Sequence, residues 1–220
     1  MRPGFLNPRQ ILTHLPAQDD WYSIANKTSS EQVDVYLYDE IGFFGTTAAD
    51  FMAELSEIKT ARIEVHISSK GGDIFDGIAI YNALRTHSSP VTTKVDSLAA
   101  SIASVIAQAG DIRLMLTGSQ MMIHEAFGLA LGGADDMRDY ADVLDKQSDN
   151  IAGIYAERAG GTGKKAHFLS LMKDETWMNP TEAVAEGLAD EIIKPEPAQP
   201  EEETAENKVD MTGFLASTHL

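Results

Sequence analysis

At 220 residues, with 43% hydrophobic and 7% aromatic side chains, the chain can bury one substantial core, which predicts a folded domain and excludes wholesale disorder. A formal net charge of −17 excludes a binder of the phosphate backbone, because nucleic acid would be repelled rather than steered in. The absence of cysteine excludes a disulfide frame, a thiolate zinc site and a cysteine nucleophile, and fits a cytoplasmic setting.

The N-terminal stretch MRPGFLNPRQILTHLP has no continuous apolar run of the kind an export signal needs, and no later segment reaches the apolar length that crosses a bilayer. VDVYLY (33–38) and RIEVHI (62–67) alternate at period two and predict strands. Between them TTAADFMAELSEI opens on threonines that can cap a helix and carries Phe51, Met52, Leu55 and Ile58 at helical spacing, completing a β-α-β unit. The alternation repeats: IFDGIAIYNALRTH predicts a helix, and VTTKV after Pro90 a strand. VDSLAASIASVIAQAG (95–110) then reads as a tight helix of small residues. Short strands are expected in DIRLML and MMIH. A long helix over about 135–158 is expected to turn Met137, Tyr140, Val143 and Leu144 to the core, and KKAHFLSLM predicts another helix. In NPTEAVAEGLAD, Asn179 caps a helix with Pro180 in its first turn and Gly187 as its stop. Strands alternating with helices predict an α/β fold. From Lys194 to the end, prolines and glutamates replace the periodicity, and residues 194–220 are read as a flexible acidic tail.

Hydroxyls at Ser97, Ser101 and Ser104 interrupt the small-residue helix, and close packing against a sheet accounts for such residues without any chemistry. A serine becomes a nucleophile only where a base takes its proton and N–H donors hold the developing oxyanion. Of six histidines, His124 has the most suitable setting, at the end of the apolar run MMI and just before a loop. Taken alone it fits a hydrogen-bonded structural histidine equally well. Ser101, at the start of its helix, would by itself serve as a cap. SSKGGD sets a glycine pair directly after a strand, suited to presenting N–H groups or simply to a tight turn.

In order and separation, SSKGGDIFDGIAIYNALR, DSLAASIASVIAQAG, MMIHEAFG and ETWMNPTEAVAEGLADEI resemble the Clp protease proteolytic subunit (ClpP) family, in particular its bacteriophage and prophage branch associated with head maturation. The resemblance runs from about Trp21 to Ile193, which implies a peptidase domain over residues 21–193 preceded by an N-terminal segment, residues 1–20. It implies a crotonase-like α/β superhelix of ββα units, a serine endopeptidase, and a homo-oligomer of stacked rings around a chamber. The polypeptide substrates it suggests are phage capsid or scaffold proteins. The family's A-A-S matches Ala99-Ala100-Ser101, making Ser101 the nucleophile, and its M-I-H matches Met122-Ile123-His124, making His124 the base. Gly72 and Ile102 match the positions whose backbone N–H groups form the oxyanion hole.

Two departures stand out. Lys70 replaces the proline common before the glycine pair, changing loop stiffness but not the donors. An ungapped match puts Glu175 where many relatives have aspartate, with Asp174 beside it as the alternative third member; on an extended segment only one of the two could face His124. No cofactor, metal, nucleic acid or membrane partner is expected, and whether an ATP-driven unfoldase feeds the chamber is left open. There is no Walker-type GxxxxGK[ST] segment in the chain. The competing readings are a crotonase-type acyl-CoA hydratase or isomerase, which needs the N–H pair but not Ser101 with His124, and a catalytically silent ring or scaffold protein.

Overall fold

Residues 24–29, 32–42, 45–59 and 62–194 are described by a computed structural model; the expected N-terminal segment and all but the first residue of the acidic tail lie outside them. In chain order the elements are β1 (Ile24–Ser29), β2 (Gln32–Leu37), α1 (Ala48–Leu55), β3 (Arg62–Ser69), α2 (Ile74–Arg85), β4 (Val91–Ala100) and α3 (Ile102–Ala107). There follow β5 (Ile112–Leu116), β6 (Gln120–Ile123), α4 (Ala134–Arg158), a 3-10 turn (Thr162–Lys164), α5 (Lys165–Lys173), β7 (Thr176–Met178), α6 (Pro180–Glu186) and β8 (Glu191–Ile193).

The sheet runs β1-β2-β3-β4-β5-β8, antiparallel at β1–β2 and parallel from β2 onward. Its period-two strands put Val35, Leu37, Ile63, Val65, Ile67, Val91 and Val95 on one face, where they join Phe51, Leu55, Ile80, Leu84 and Ile106 from the helices in one buried cluster. Each such side chain taken fully out of water contributes about 1.5–3 kcal/mol. Thr47 caps α1 through Asp50 N–H, Asp73 caps α2 through the N–H groups of Phe75 and Asp76, and Asn179 caps α6 in a reciprocal box with Glu182.

Strand β4 differs most from its expected form. The stretch read as the start of a helix is strand as far as Ala100, and α3 is only six residues long. The physical reason is a change of partner: Thr92–Val95 pair with β5, whereas Leu98–Ala100 pair with β6, so small residues that suit a helix are held extended by a second strand. Strand β6 in turn pairs antiparallel with β7 and forms a short wing off the main sheet. The core face expected for α4 is also corrected. Met137 and Val143 are 40% and 38% exposed, and burial begins only at Ser148, continuing through Ile151, Ala152, Tyr155 and Ala156. The first half of α4 projects past the elements that pack its second half. Strands β1, β7 and β8 were not anticipated; β7 and β8 have three residues each, too short for a period to show.

Two polar networks tie the sheet together. At one end, the Arg113 side chain donates to Asp190, to Gln108 Oε1 at 3.0 Å and to the Gly187 carbonyl at 2.8 Å, joining β5 to the end of α6 and the start of β8. Burial opposes the charge on Asp190, but these hydrogen bonds outweigh it and hold the carboxyl below its usual range. On the face away from the apolar cluster, His66 sits between two carboxylates: Nδ1 is 2.7 Å from Asp96 and Nε2 is 3.2 Å from Glu64. Both ring nitrogens must donate, so this geometry calls for the imidazolium. Burial opposes that charge, yet the bonds to Asp96 and Glu64 prevail and raise the His66 pKa to about 9. The bond from His66, against burial and with help from Lys94 at 3.0 Å, lowers Glu64 to about 2.

Removing Arg113 would strand Asp190 and two acceptors. Arg113→Ala is expected to cost about 3 kcal/mol and to lower Tm by roughly 6–12 °C in calorimetry. The raised His66 pKa makes a separate expectation. Its contribution to stability is complete below the unfolded value near 6.5 and is lost as pH rises through about 9, so Tm should fall between pH 7 and 10 more in the native chain than in His66→Phe.

Candidate active site

Strand β4 delivers Ser101, and the turn that follows it is not an ordinary helix start. Ser101 has φ 55 and ψ −129, and it makes no side-chain cap. The capping role that its local sequence suggests is therefore absent. Its Oγ lies 2.7 Å from His124 Nε2 instead. The backbone is held there by Ser101 N–H donating to the Met122 carbonyl at 2.9 Å, so the residue directly after β4 is bonded to β6, the strand that runs into the histidine. The other two hydroxyls of the stretch have structural partners. Ser97 Oγ is 2.6 Å from Ser68 Oγ, while buried Ser104 Oγ donates to the Ser101 carbonyl and lies 2.8 Å from the Tyr155 hydroxyl. Burial raises the Tyr155 pKa, which keeps that phenol protonated as a donor.

The glycine pair follows β3. Gly71 has φ 94, and a Cβ there would stand 2.7 Å from the Ala100 carbonyl oxygen and 2.8 Å from Ser101 Cβ. Gly72 has φ 149, and a Cβ there would meet the Ile41 carbonyl oxygen at 2.0 Å. Both positions therefore require glycine. The Gly71 N–H donates to Ser69 Oγ and the Asp73 N–H to Ile41 O, while the N–H of Gly72 between them has no acceptor among the described residues. Ile102, the first residue of α3, likewise has an N–H that the helix cannot satisfy. Gly72, Ser101, Ile102 and His124 line one cleft of about 220 Å³. Its walls add apolar Ile74, Met122 and Phe127 and the charged Lys70 and Glu125, none of which was singled out in the sequence as lining a site. The signal available for Lys70 was its position at the end of β3, directly before the glycines.

Glu175 and Asp174 follow α5 and do not lie on an extended segment, which corrects the argument by which one of them would face away. Asp174 is the last helical turn's C-cap, with φ −85, and Glu175 has φ 47. Neither carboxylate is within hydrogen-bond distance of His124; Glu175 Oε1 is 3.4 Å from the Trp177 indole nitrogen. The register of the wing nevertheless separates the two. The wing's last pair is Ile123↔Thr176, with His124 following on one strand and Glu175 preceding on the other, so Glu175 adjoins the paired residues beside the histidine and Asp174 stands one residue further off. Ser101 and Glu175 are also the only non-glycine residues with positive φ among the described residues.

The model of the family described as Clp protease matches residues 16–196. This chain belongs to the Clp protease family. It is 31% identical over 174 residues to the ATP-dependent Clp protease proteolytic subunit of Deinococcus radiodurans, covering 73% of this chain and 84% of that one. It is 32% identical over 176 residues to the subunit of the same name from Bacteroides fragilis, covering 74% and 84%. Among solved structures, a ClpP1 mutant from Listeria monocytogenes superposes with a TM-score of 0.65 at 22% identity, over 74% of this chain and 92% of that one, which shows the fold. The expected crotonase-like α/β architecture is thus the one found, and the enzyme is a serine endopeptidase of the Clp protease family.

A serine at φ 55 carries backbone strain that glycine does not. Ser101→Gly and Ser101→Ala both lose the hydroxyl, but only the first relaxes the turn. Ser101→Gly is expected to be more stable than Ser101→Ala by roughly 1 kcal/mol in denaturant unfolding, the reverse of the order at an ordinary strand or helix position.

Proposed function

We propose that this enzyme cleaves polypeptides through an acyl-enzyme on Ser101, with His124 as general base and acid. The observation that carries the reading is the 2.7 Å contact between Ser101 Oγ and His124 Nε2, made by a serine whose backbone is strained to present it. Ser101 O–H donates to Nε2, Oγ attacks the peptide carbonyl, and His124 returns the proton to the leaving amine. The N–H groups of Gly72 and Ile102 receive the oxyanion. Water then repeats the sequence on the acyl-serine. Glu175 completes the triad by orienting the imidazole, a role supported by its place beside the Ile123↔Thr176 pair that leads into His124 and by its own positive φ of 47. The expected domain limits, 21–193, are kept for this peptidase unit.

The substrates proposed are bacteriophage or prophage head proteins, capsid or scaffold, processed in the bacterial host cytoplasm without an ATP-driven unfoldase. Support for this is the motif resemblance together with the lack of a nucleotide-binding segment in the chain. Copies are proposed to assemble into stacked rings around a chamber. Phe127, Leu129 and Leu131, exposed at 80%, 92% and 81% between β6 and the projecting half of α4, supply apolar surface for a second copy.

The test is co-expression with capsid and scaffold proteins, followed by intact mass, beside labelling of the purified assembly with a fluorophosphonate. Wild type should label and cleave. Ser101→Ala should do neither, Glu175→Gln should lower kcat by about 10⁴-fold, and Asp174→Asn should match wild type. Turnover of acyl-CoA without labelling would favour the hydratase reading, and an assembled but unlabelled, inactive chain would favour a scaffold. Cleavage that needs an added unfoldase and ATP would refute ATP-independent processing.

A further inference from the structure

The register between β3 and β4 changes immediately before the site. From Ile63↔Val91 to Ile67↔Val95 the paired numbers differ by 28, and at Ser69↔Ala99 they differ by 30. Between these points β3 uses only Ser68, whereas β4 uses Asp96, Ser97 and Leu98. The two extra residues form a bulge, and they decide what faces the glycine loop. Continued at the earlier offset, Gly71 would lie opposite Ala99; past the bulge it lies against Ser101, so close that a Cβ added to Gly71 would stand 2.8 Å from Ser101 Cβ.

The side chains at this bulge are bonded across it. Asp96, its first residue, binds His66 at 2.7 Å, and Ser97, its second, binds Ser68 at 2.6 Å. Tyr38, directly after β2, donates to the same Asp96 oxygen as His66, and Tyr36 on β2 stacks on the imidazole with centroids 4.5 Å apart and planes at 22°. We propose that His66, through Asp96 and beside the Ser68–Ser97 pair, is a positioning residue for the peptidase: it holds the bulge in the register that sets Ser101 against the glycine loop. The inference rests on the acyl-enzyme reading and adds a residue to it that touches no reacting atom.

Every group facing the imidazole takes part. Tyr36 approaches from β2 and Tyr38 from just beyond its end, Glu64 from the imidazole's own strand, and Lys94 and Asp96 from β4; Asp34 on β2 acts on Tyr36. Two carboxylates and two cations balance, so the cluster is neutral only while His66 keeps its second proton. Loss of that proton, at a pH near 9, leaves one N–H for two carboxylates: Nδ1, 2.7 Å from Asp96, keeps it, Nε2 loses its bond to Glu64, and the positive charge that strengthens the bond to Asp96 is gone, which loosens one end of the bulge.

The test compares wild type with His66→Phe, which keeps the stack on Tyr36 but has no donor, and Asp96→Asn, which keeps shape and loses charge. Hydrolysis of a quenched-fluorescent peptide that the wild type cleaves is measured from pH 6 to pH 10, with rates normalised to fluorophosphonate-titrated sites. Misplacing the nucleophile should lower kcat about tenfold or more in both variants while KM moves less than about twofold. Wild-type kcat should decline on the alkaline side, and that decline should be absent from His66→Phe. Folded variants with wild-type kcat and an unchanged alkaline limb would overturn the positioning role and leave the peptidase reading intact. If His66→Phe fails to fold, isosteric Asp96→Asn decides by the same kcat criterion. A wild type that neither labels nor cleaves overturns the acyl-enzyme reading, and the positioning role falls with it.

Discussion

Strand β4 must leave one partner, take another and then stop on a serine whose backbone an L-residue resists. Its first half is paired to β5 and its last three residues to β6, so the chain is bonded on both sides until Ala100. Ser101 is then fixed from two directions, by its N–H to the Met122 carbonyl and by its own carbonyl to Ser104. A backbone conformation of this type costs on the order of 1–3 kcal/mol and persists only where the surroundings over-determine it. The surroundings here are a buried helix start, Ile102 to Ala107, all of whose side chains are out of water. The core therefore supplies the free energy that holds the hydroxyl away from a cap and toward His124.

The same constraint explains the neighbouring elements. Gly71 packs against the Ala100 carbonyl and Ser101 Cβ, so the glycine loop can approach only because it has no side chains. Ser69 fastens the loop's near side, donating to the Asp39 carbonyl at 2.6 Å while accepting from Gly71 N–H. With Gly71 N–H used in this way and Asp73 N–H bound to Ile41, the amide left for an anion is that of Gly72. On the other side, β6 ends one residue before the histidine, and its antiparallel pairing with β7 brings the start of that strand beside it.

Much of this was legible in the sequence because local rules and tertiary structure agree there. RIEVHI is a strand by its alternation, and Asn179, Pro180 and Gly187 bound α6 as their chemistry requires. What was not legible depends on partners far away in the chain. Leu98, Ala99 and Ala100 favour a helix by composition and are strand because β6 pairs with them. Met137 and Val143 keep helical apolar spacing on α4, but nothing within the described chain comes to meet them, so periodicity named a core face that this subunit leaves open. The Ser101–His124 contact could be approached through the resemblance of four blocks, whereas neither residue's immediate neighbours distinguish a cap from a nucleophile. Asp174 and Glu175 are alike by their neighbours in sequence; Glu175 adjoins the last β6–β7 pair, a register that three residues of strand do not announce.

His66 shows the same limit in a different form. In the sequence it is one residue of an alternating strand, on the side opposite Ile63, Val65 and Ile67. Its meaning comes from Asp96, 30 positions later, and from the bulge that brings Asp96 within 2.7 Å. Apolar pairs across a bulge would gain area in several registers with little difference between them, because the hydrophobic effect has no direction. An imidazolium between two carboxylates has one arrangement in which both N–H groups are satisfied, and a slip by two residues would leave a charge without its partner. The polar face of the sheet can therefore do what the apolar face cannot: it distinguishes between registers that would bury the same side chains. In this enzyme the register so distinguished is the one that ends on Ser101.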